Sequence, residues 1–393
     1  MILSDICQYV SEKISVSSLD ENTYISTENM LPNKSGITVA TNLPATEYTP
    51  KYNTDDILIS NIRPYFKKIY KAQKQGGCSA DVLVLRAKQG IIPSFLYYVL
   101  SDDAFFEYAT ATSKGTKMPR GDKIAIMKYK VPNVSPEIQQ KIASILSALD
   151  HKIELNQRQN NNLEQQAQAL FKSWFMDFEP FGGVMPEDWK IGKLKDVLKL
   201  KKTPIRAGEN CALPYLPIDI IPIHSLALTE FRPNSEAQSS LITFDKDDIL
   251  IGAMRVYFHR VTIAPCAGIT RTTCFVLSPF DESYLLYALL LCNQDKSIEF
   301  AQTTSKGSTM PYAVWDGGLG DLEINIPQRN IVEKFNNILL PSIRQIQNSY
   351  FENTRLAAIR DALLPKLMSG EIDVSNVDIS ALTSTDKLSF TED

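Results

Sequence analysis

From Ser135 to Phe178 one pattern repeats. Apolar residues, with two asparagines among them, return every three or four positions: Ile138, Ile142, Ile145, Leu149, Ile153, Asn156, Asn160, Leu163, Ala167, Leu170 and Trp174. That is the spacing of one helix face. Ser135 and Pro136 supply a start, a hydroxyl cap followed by a residue whose missing N–H costs nothing in the first turn. No glycine or further proline intervenes before Pro180. At 1.5 Å per residue such a helix spans about 60 Å, far beyond the ~12-residue mean of globular helices. One extra four-residue step near Leu149 marks a stutter in a heptad-like seam. Asn156 and Asn160, adjacent in that seam, lower stability while fixing register against a partner helix. A core helix with a polar middle would carry the same pattern, so the partner must be sought.

It lies in the second half of the same chain. Asp55-Asp56-Ile57-Leu58-Ile59 returns as Asp247-Asp248-Ile249-Leu250-Ile251, an offset of 192 (247 minus 55). Arg63 with Tyr65-Phe66 returns as Arg255 with Tyr257-Phe258, and Val84-Leu85 as Val276-Leu277, at the same spacing. So does the loop Thr112-Ser113-Lys114-Gly115-Thr116-Lys117-Met118-Pro119, as Thr304-Ser305-Lys306-Gly307-Ser308-Thr309-Met310-Pro311. At an offset of 193, Ile138, Ile142, Ile145, Ile153, Leu163 and Leu170 fall on Ile331, Phe335, Ile338, Ile346, Leu356 and Leu363, and Asn160 on Asn353. One unit, a mixed domain followed by a long helix, is thus written twice. The expected fold class is α+β: two mixed α/β domains separated by two long antiparallel coiled-coil-like helices, with an internal pseudo-twofold repeat. The expected boundaries are 1–134 and 181–326 for the domains, 135–180 and 327–370 for the helices, and 371–393 for an acidic, flexible tail. Ile142, Leu149, Ile153, Asn156, Asn160 and Leu163 are assigned to the seam of the helix pair, facing Ile346, Asn353 and Leu356. Pro341 predicts a kink or break in the second helix.

Within the first domain, Ile57-Leu58-Ile59 and Val82-Leu83-Val84-Leu85 read as buried strands. Pro93 opens a helix through Tyr108, and Glu21 to Lys51 reads as short strands and loops. Lys190 to Lys202, rich in lysine, reads as a solvated helix face.

Positive charge is concentrated in two places per domain. After a strand, basic groups alternate with aromatics at Arg63, Tyr65, Lys67 and Lys68, and again at Arg255, Tyr257, His259 and Arg260, with Arg271 beyond. These groups can neutralise phosphates, reach base edges or stack. Lys114, Thr116, Lys117, Arg120 and Lys123 surround glycines in a loop able to approach a phosphate backbone closely. Lys306, Ser308, Thr309 and Tyr312 occupy the second such loop. Solvated surface charge is the competing explanation for each patch taken alone.

Composition narrows the classes. The 393 residues exceed one core and suit two domains, and 44% hydrophobic with 22% charged content is globular. A net charge of −4 means that nucleic-acid binding would rest on local patches. Neither an N-terminal signal pattern nor a run of eighteen apolar residues occurs, so a cytoplasmic protein with no membrane contact is expected. The six cysteines show no C-x-x-C spacing and the three histidines stand singly. They are read as buried or incidental groups in a reducing compartment, with no metal site.

Leu170-Phe171-Lys172-Ser173-Trp174-Phe175 with Asp177-Phe178-Glu179-Pro180-Phe181, then Pro186-Glu187-Asp188-Trp189, the loop Thr112 to Pro119, and Leu363-Leu364-Pro365-Lys366-Leu367-Met368-Ser369-Gly370-Glu371 together resemble the specificity subunit of type I restriction-modification systems. The resemblance covers nearly the whole chain, although the first domain lacks a counterpart of Trp189. It implies that each domain is a target-recognition domain reading one half of a bipartite site in double-stranded DNA. The helices would then set the unread spacer and dock two methyltransferase subunits, which use S-adenosylmethionine. Restriction subunits using ATP and Mg would complete the assembly, and this chain would bind no cofactor. The residues agree that it is not itself an enzyme. Ser278-Pro279-Phe280 lacks the second proline of an adenine-methyltransferase pocket, Phe181-Gly182-Gly183 is no cofactor loop, and no G-x-x-x-x-G-K-[ST] occurs. Pro186-Glu187-Asp188-Trp189-Lys190 is superficially nuclease-like but has no partner acid at useful spacing. A coiled-coil scaffold without DNA recognition, and a self-sufficient methyltransferase or nuclease, are the alternatives.

Overall fold

A computed structural model describes residues 1–238 and 240–380. The chain divides into two units, Met1–His151 with the chain from Ala357 onward, and Lys152–Leu356.

The first unit holds two four-stranded sheets. One orders Cys7–Tyr9, Val82–Ala87, Ile57–Ser60 and Ile69–Lys71, all antiparallel. The other orders Lys13–Ser15, Tyr48–Tyr52, Gly76–Cys78 and Tyr24–Ile25, the last pair parallel. The second unit has the same two strand orders: Leu198–Lys201, Cys274–Pro279, Ile249–Gly252 and Val261–Ile263, then Pro204–Ile205, Leu241–Phe244, Gly268–Arg271 and Tyr215–Leu216. A further pair, Lys190–Lys193 with Glu323–Ile326, closes it.

The unbroken apolar runs have a structural cause. Successive strand residues face opposite ways, and both faces are covered. Ile57, Ile59, Leu83 and Leu85 enter one core, whereas Leu58, Val82 and Val84 enter another. Ile249 and Ile251 are likewise split from Leu250 between two cores of the second unit. The acidic pair ahead of each strand is structural too. Asp56, 1% exposed, accepts from Arg86 Nε at 2.7 Å and Nη2 at 2.8 Å, and Asp248 pairs with Lys201 at 2.7 Å.

The long helices are Pro136–Phe175 and Arg329–Ser369. Within each unit their segments run antiparallel. In the second, Asn156 Nδ2 donates to Asn353 Oδ1 at 2.8 Å and to Glu352 Oε2 at 2.9 Å, while further along Phe171 packs on Phe335. In the first, Asp150 accepts from Arg360 and from Tyr98, and Lys141 reaches the Ser375 carbonyl. Of the predicted seam, Ile142, Asn156, Asn160 and Ile346 are buried, and Leu149, Ile153, Leu163, Asn353 and Leu356 are half-buried. The Phe171, Trp174, Phe175 and Phe181 motif is an aromatic cluster with Trp189, Tyr287 and Phe335; Phe175 lies 4.7 Å from Phe335 and 4.9 Å from Tyr287.

Three expectations are corrected. Pro341 does not break its helix: it and Asn337, whose carbonyl loses its partner, are both exposed, so water can replace the missing bond. The predicted helix from Pro93 to Tyr108 is two, Pro93–Ser101 and Asp103–Ala111, because the Asp102 side chain accepts from Ala104 N and starts a new helix. Lys190 to Lys202 is no helix face but strand, 3-10 turn and strand, with Leu194 and Leu198 buried between outward lysines. Of the expected tail, Val374 is buried in the first unit's core, and 381–393 lie outside the described residues. Among the described residues no helix is long and apolar enough to cross a membrane, and the six cysteines are free. Burial pushes the Cys7, Cys78, Cys274 and Cys292 thiols up to about 12.

Candidate nucleic-acid interface

In the first unit, strand Ile57–Ser60 leads into a 3-10 turn, Pro64–Phe66, flanked by Arg63 and Lys67. Both flanking residues hold left-handed backbone, φ 50° and 51°, a conformation that costs a non-glycine residue about 1–2 kcal/mol. The second unit repeats this around Val256–Phe258, with Arg255 and His259 at φ 50°. The tight turn pushes its aromatics outward. Tyr65 and Phe66 are exposed with ring centroids 4.8 Å apart, as are Tyr257 and Phe258 at 4.9 Å. Arg63 and Lys68 approach the Phe66 ring at 6.0 and 5.9 Å.

The basic loop is a small hairpin. Lys114 and Arg120 exchange backbone hydrogen bonds of 2.9 Å, as Lys306 and Tyr312 do. Gly115 at φ 95° and Gly307 at φ 90° turn the tips, which leave Thr116, Lys117, Met118 and Ser308, Thr309, Met310 exposed. Backbone bonds stitch turn to hairpin: Arg63 N donates to Pro119 O at 2.8 Å and Gly121 N to Asn61 O at 3.0 Å. Arg255 N to Pro311 O and Ala313 N to Ala253 O, both 2.8 Å, repeat the joint. Two patches some fifty residues apart in sequence thereby form one surface in each unit. Beside the second hairpin a cleft of about 900 Å³ is lined by Lys202, Arg206, Lys306 and Tyr312 among others.

The predicted cations divide by what holds them. Lys114 pairs with Asp122 at 2.6 Å and Arg120 with Asp81 at 3.0 Å. Lys114 and two backbone N–H groups hold the Asp122 carboxyl down at about 2. Lys117 and Lys123 are exposed and make no ion pair among the described residues. Arg63 Nε is buried without a protein partner. Arg271 is exposed at the end of its strand. Three others are engaged in holding structure. Lys68 donates to Thr27 O at 2.7 Å, and Arg260 donates to the carbonyls of Ile218, Asp219 and Ile221. Lys67 pairs with Asp103 at 2.9 Å.

His259 is corrected as a surface group: it is 5% exposed, its Nε2 against Asn293 and its Nδ1 against Asp295. Nor do the histidines stand singly, since His224 and His259 rings lie 4.3 Å apart. The supports Lys34, Asp103, His224 and Asp295 were not found in the sequence, yet Asp103 and Asp295 sit at the same 192 offset (295 minus 103) that revealed the repeat.

The family model of the Type I restriction modification DNA specificity domain matches residues 1–165. The type I restriction enzyme MjaIX specificity subunit of Methanocaldococcus jannaschii is 30% identical over 321 residues, 74% of this chain and 71% of that protein. The HindI specificity subunit of Haemophilus influenzae is 24% identical over 456 residues, 94% and 98% of the two chains. In fold, the chain resembles the crystal structure of the type I restriction-modification system S subunit from M. genitalium, with a TM-score of 0.56 at 15% identity over 94% and 95% of the two chains. With a repeated strand order, a stitched basic-aromatic surface in each unit and this extent of likeness, the chain belongs to the specificity-subunit family of type I restriction-modification systems.

Proposed function

We propose that this chain is the non-catalytic reader of a bipartite DNA site, each unit contacting one half-site through its joined turn and hairpin. The observation that carries this is the joint itself, Arg63 N to Pro119 O and Arg255 N to Pro311 O, which gathers exposed aromatics, hydroxyls and cations on one face per unit. Lysine and arginine supply phosphate neutralisation and groove contacts, threonine and serine supply short hydrogen bonds, and the aromatics supply apolar contact or wedges. The long helices set the unread spacer and dock two methyltransferase subunits that carry S-adenosylmethionine. ATP and Mg belong to the restriction subunits of the complete assembly. Chemistry is left to those partners.

Mapping methylated adenines in cells carrying this chain with its methyltransferase partner tests the reading. Two unlike half-sites at one fixed separation are expected. A single contiguous motif, or methylation independent of this chain, would overturn it.

A further inference from the structure

A histidine–carboxylate cluster lies behind the 3-10 turn Val256–Phe258 of the second unit. Two of the chain's three histidines meet there at one carboxylate. His259, which closes the turn Val256–Phe258, places Nδ1 3.3 Å from Asp295 Oδ1. The backbone N of His224 donates to the carbonyl of His259 at 3.0 Å, bringing the two rings within 4.3 Å. One ligand atom from each of the three residues lies within 4.8 Å of the others. A cleft of about 560 Å³ opens beside them.

Proton placement on His259 follows from its neighbours. Nε2 faces the Asn293 backbone carbonyl at 3.2 Å and the Asn293 side-chain oxygen at 2.9 Å. A carbonyl oxygen only accepts, so Nε2 carries the hydrogen. In the neutral ring, Nδ1 is then a lone pair aimed at a carboxylate, a repulsive contact unless a cation lies between them. An N–H held by a carbonyl, with the other nitrogen free, is also how a metal-ligating histidine is oriented. The 3.3 Å separation exceeds the 2.7–2.9 Å of a charge-assisted N–H···O bond. It matches the roughly 3.3 Å between two ligands each about 2.0–2.1 Å from a tetrahedral ion.

The first unit gives an internal comparison. At the same place the Lys34 backbone N donates to the Lys67 carbonyl at 2.9 Å, and both ammonium groups pair with Asp103, at 2.8 and 2.9 Å. There the carboxylate is neutralised by two fixed cations. In the second unit both lysines are replaced by imidazoles, and the carboxylate is retained.

We propose that His224, His259 and Asp295 bind one divalent transition-metal ion, zinc by the chemistry of its donors, which locks the second recognition turn as the lysine pair locks the first. Two imidazole nitrogens and one carboxylate oxygen leave a fourth position toward the cleft for water. The consequence for DNA reading rests on the function proposed above; the metal site does not.

The test uses the full chain, free of any purification tag and stripped with a chelator. Titration with zinc chloride alone at pH 7.5 should show one ion per chain, and cobalt(II) should give the visible absorption of a tetrahedral nitrogen-oxygen site. Asp295→Asn and His224→Ala, both at exposed positions, should each weaken zinc binding at least tenfold. The double variant His224→Lys/His259→Lys restores the first unit's charge pattern. It should stay folded, and its melting temperature should no longer rise with zinc as that of the unaltered chain does. Undiminished binding in these variants would place the ion elsewhere. Absence of zinc binding by the unaltered chain would leave an imidazolium–carboxylate pair only, and overturn the proposal.

Discussion

Arg63 and Arg255 open their 3-10 turns in left-handed backbone, and their amides tie turn to hairpin. The Arg255 side chain is exposed, and that of Arg63 is half-buried with its guanidinium 6.0 Å from the Phe66 ring. Alanine at either should weaken binding to the cognate site more than to random duplex, as a group reading a base edge does, by about 1–3 kcal/mol. Lys117→Ala should instead weaken both alike and flatten the salt dependence by about one phosphate contact. Filter binding across a salt series separates the two outcomes. Arg86 has the opposite kind of role. Alanine there strands the buried Asp56 carboxylate, and the first unit should lose roughly 3–5 kcal/mol in denaturant unfolding. Glu164 shows how pH enters. Burial raises its carboxyl above the ordinary 4.5, only partly offset by hydrogen bonds from Ala227 N and Ser225 Oγ. An acid with a raised folded value contributes most when protonated and loses that contribution as pH rises through it. Glu164→Gln, whose amide oxygen can accept the same bonds, should be relatively stabilising at neutral pH and show no advantage below 4.5 in thermal melts across pH.

At the scale of elements, periodicity carried far. The two long helices were legible because the pattern runs some forty residues without glycine, and the core strands because an apolar run beginning at Asp-Asp recurs. Shorter features escaped. Nothing in the apolar spacing separates Pro93–Ser101 from Asp103–Ala111, since a single capping carboxylate makes the break. Within Lys190 to Lys202, Leu198-Lys199-Leu200-Lys201 alternates at period two, a strand signal that the surrounding charge obscured. The surface joint was legible only as two separate patches, and the His224–His259–Asp295 cluster not at all, because loops set those encounters. The seam offers its own test. Asn156, 1% exposed, donates to Asn353 and Glu352 together, so Asn156→Ala should cost about 1 kcal/mol by removing hydrogen bonds to two half-exposed partners. Asn156→Leu with Asn353→Leu should recover much of that in unfolding measurements while relaxing helix register.

For the whole molecule, the repeated strand order means that one scaffold is used twice with different surfaces, Lys117 and Arg120 in one unit standing where Thr309 and Tyr312 stand in the other. On the proposed reading, the helices determine how much DNA goes unread. Inserting seven matched residues into each long helix preserves the seam face to within about 20°. It adds about 10 Å of helix, close to three base pairs. The mapped methylation pattern should keep both half-sites and widen the gap between them by about that number.

The hydrogen bonds that join turn to hairpin run between main-chain atoms. Arg63 N donates to Pro119 O in one unit and Arg255 N to Pro311 O in the other, both at 2.8 Å. Because no side chain is needed to close that clasp, residues around it can be exchanged without loosening the protein. The two units already show this, one clasp carrying Lys117 and Arg120 and the other Thr309 and Tyr312 on the same backbone frame.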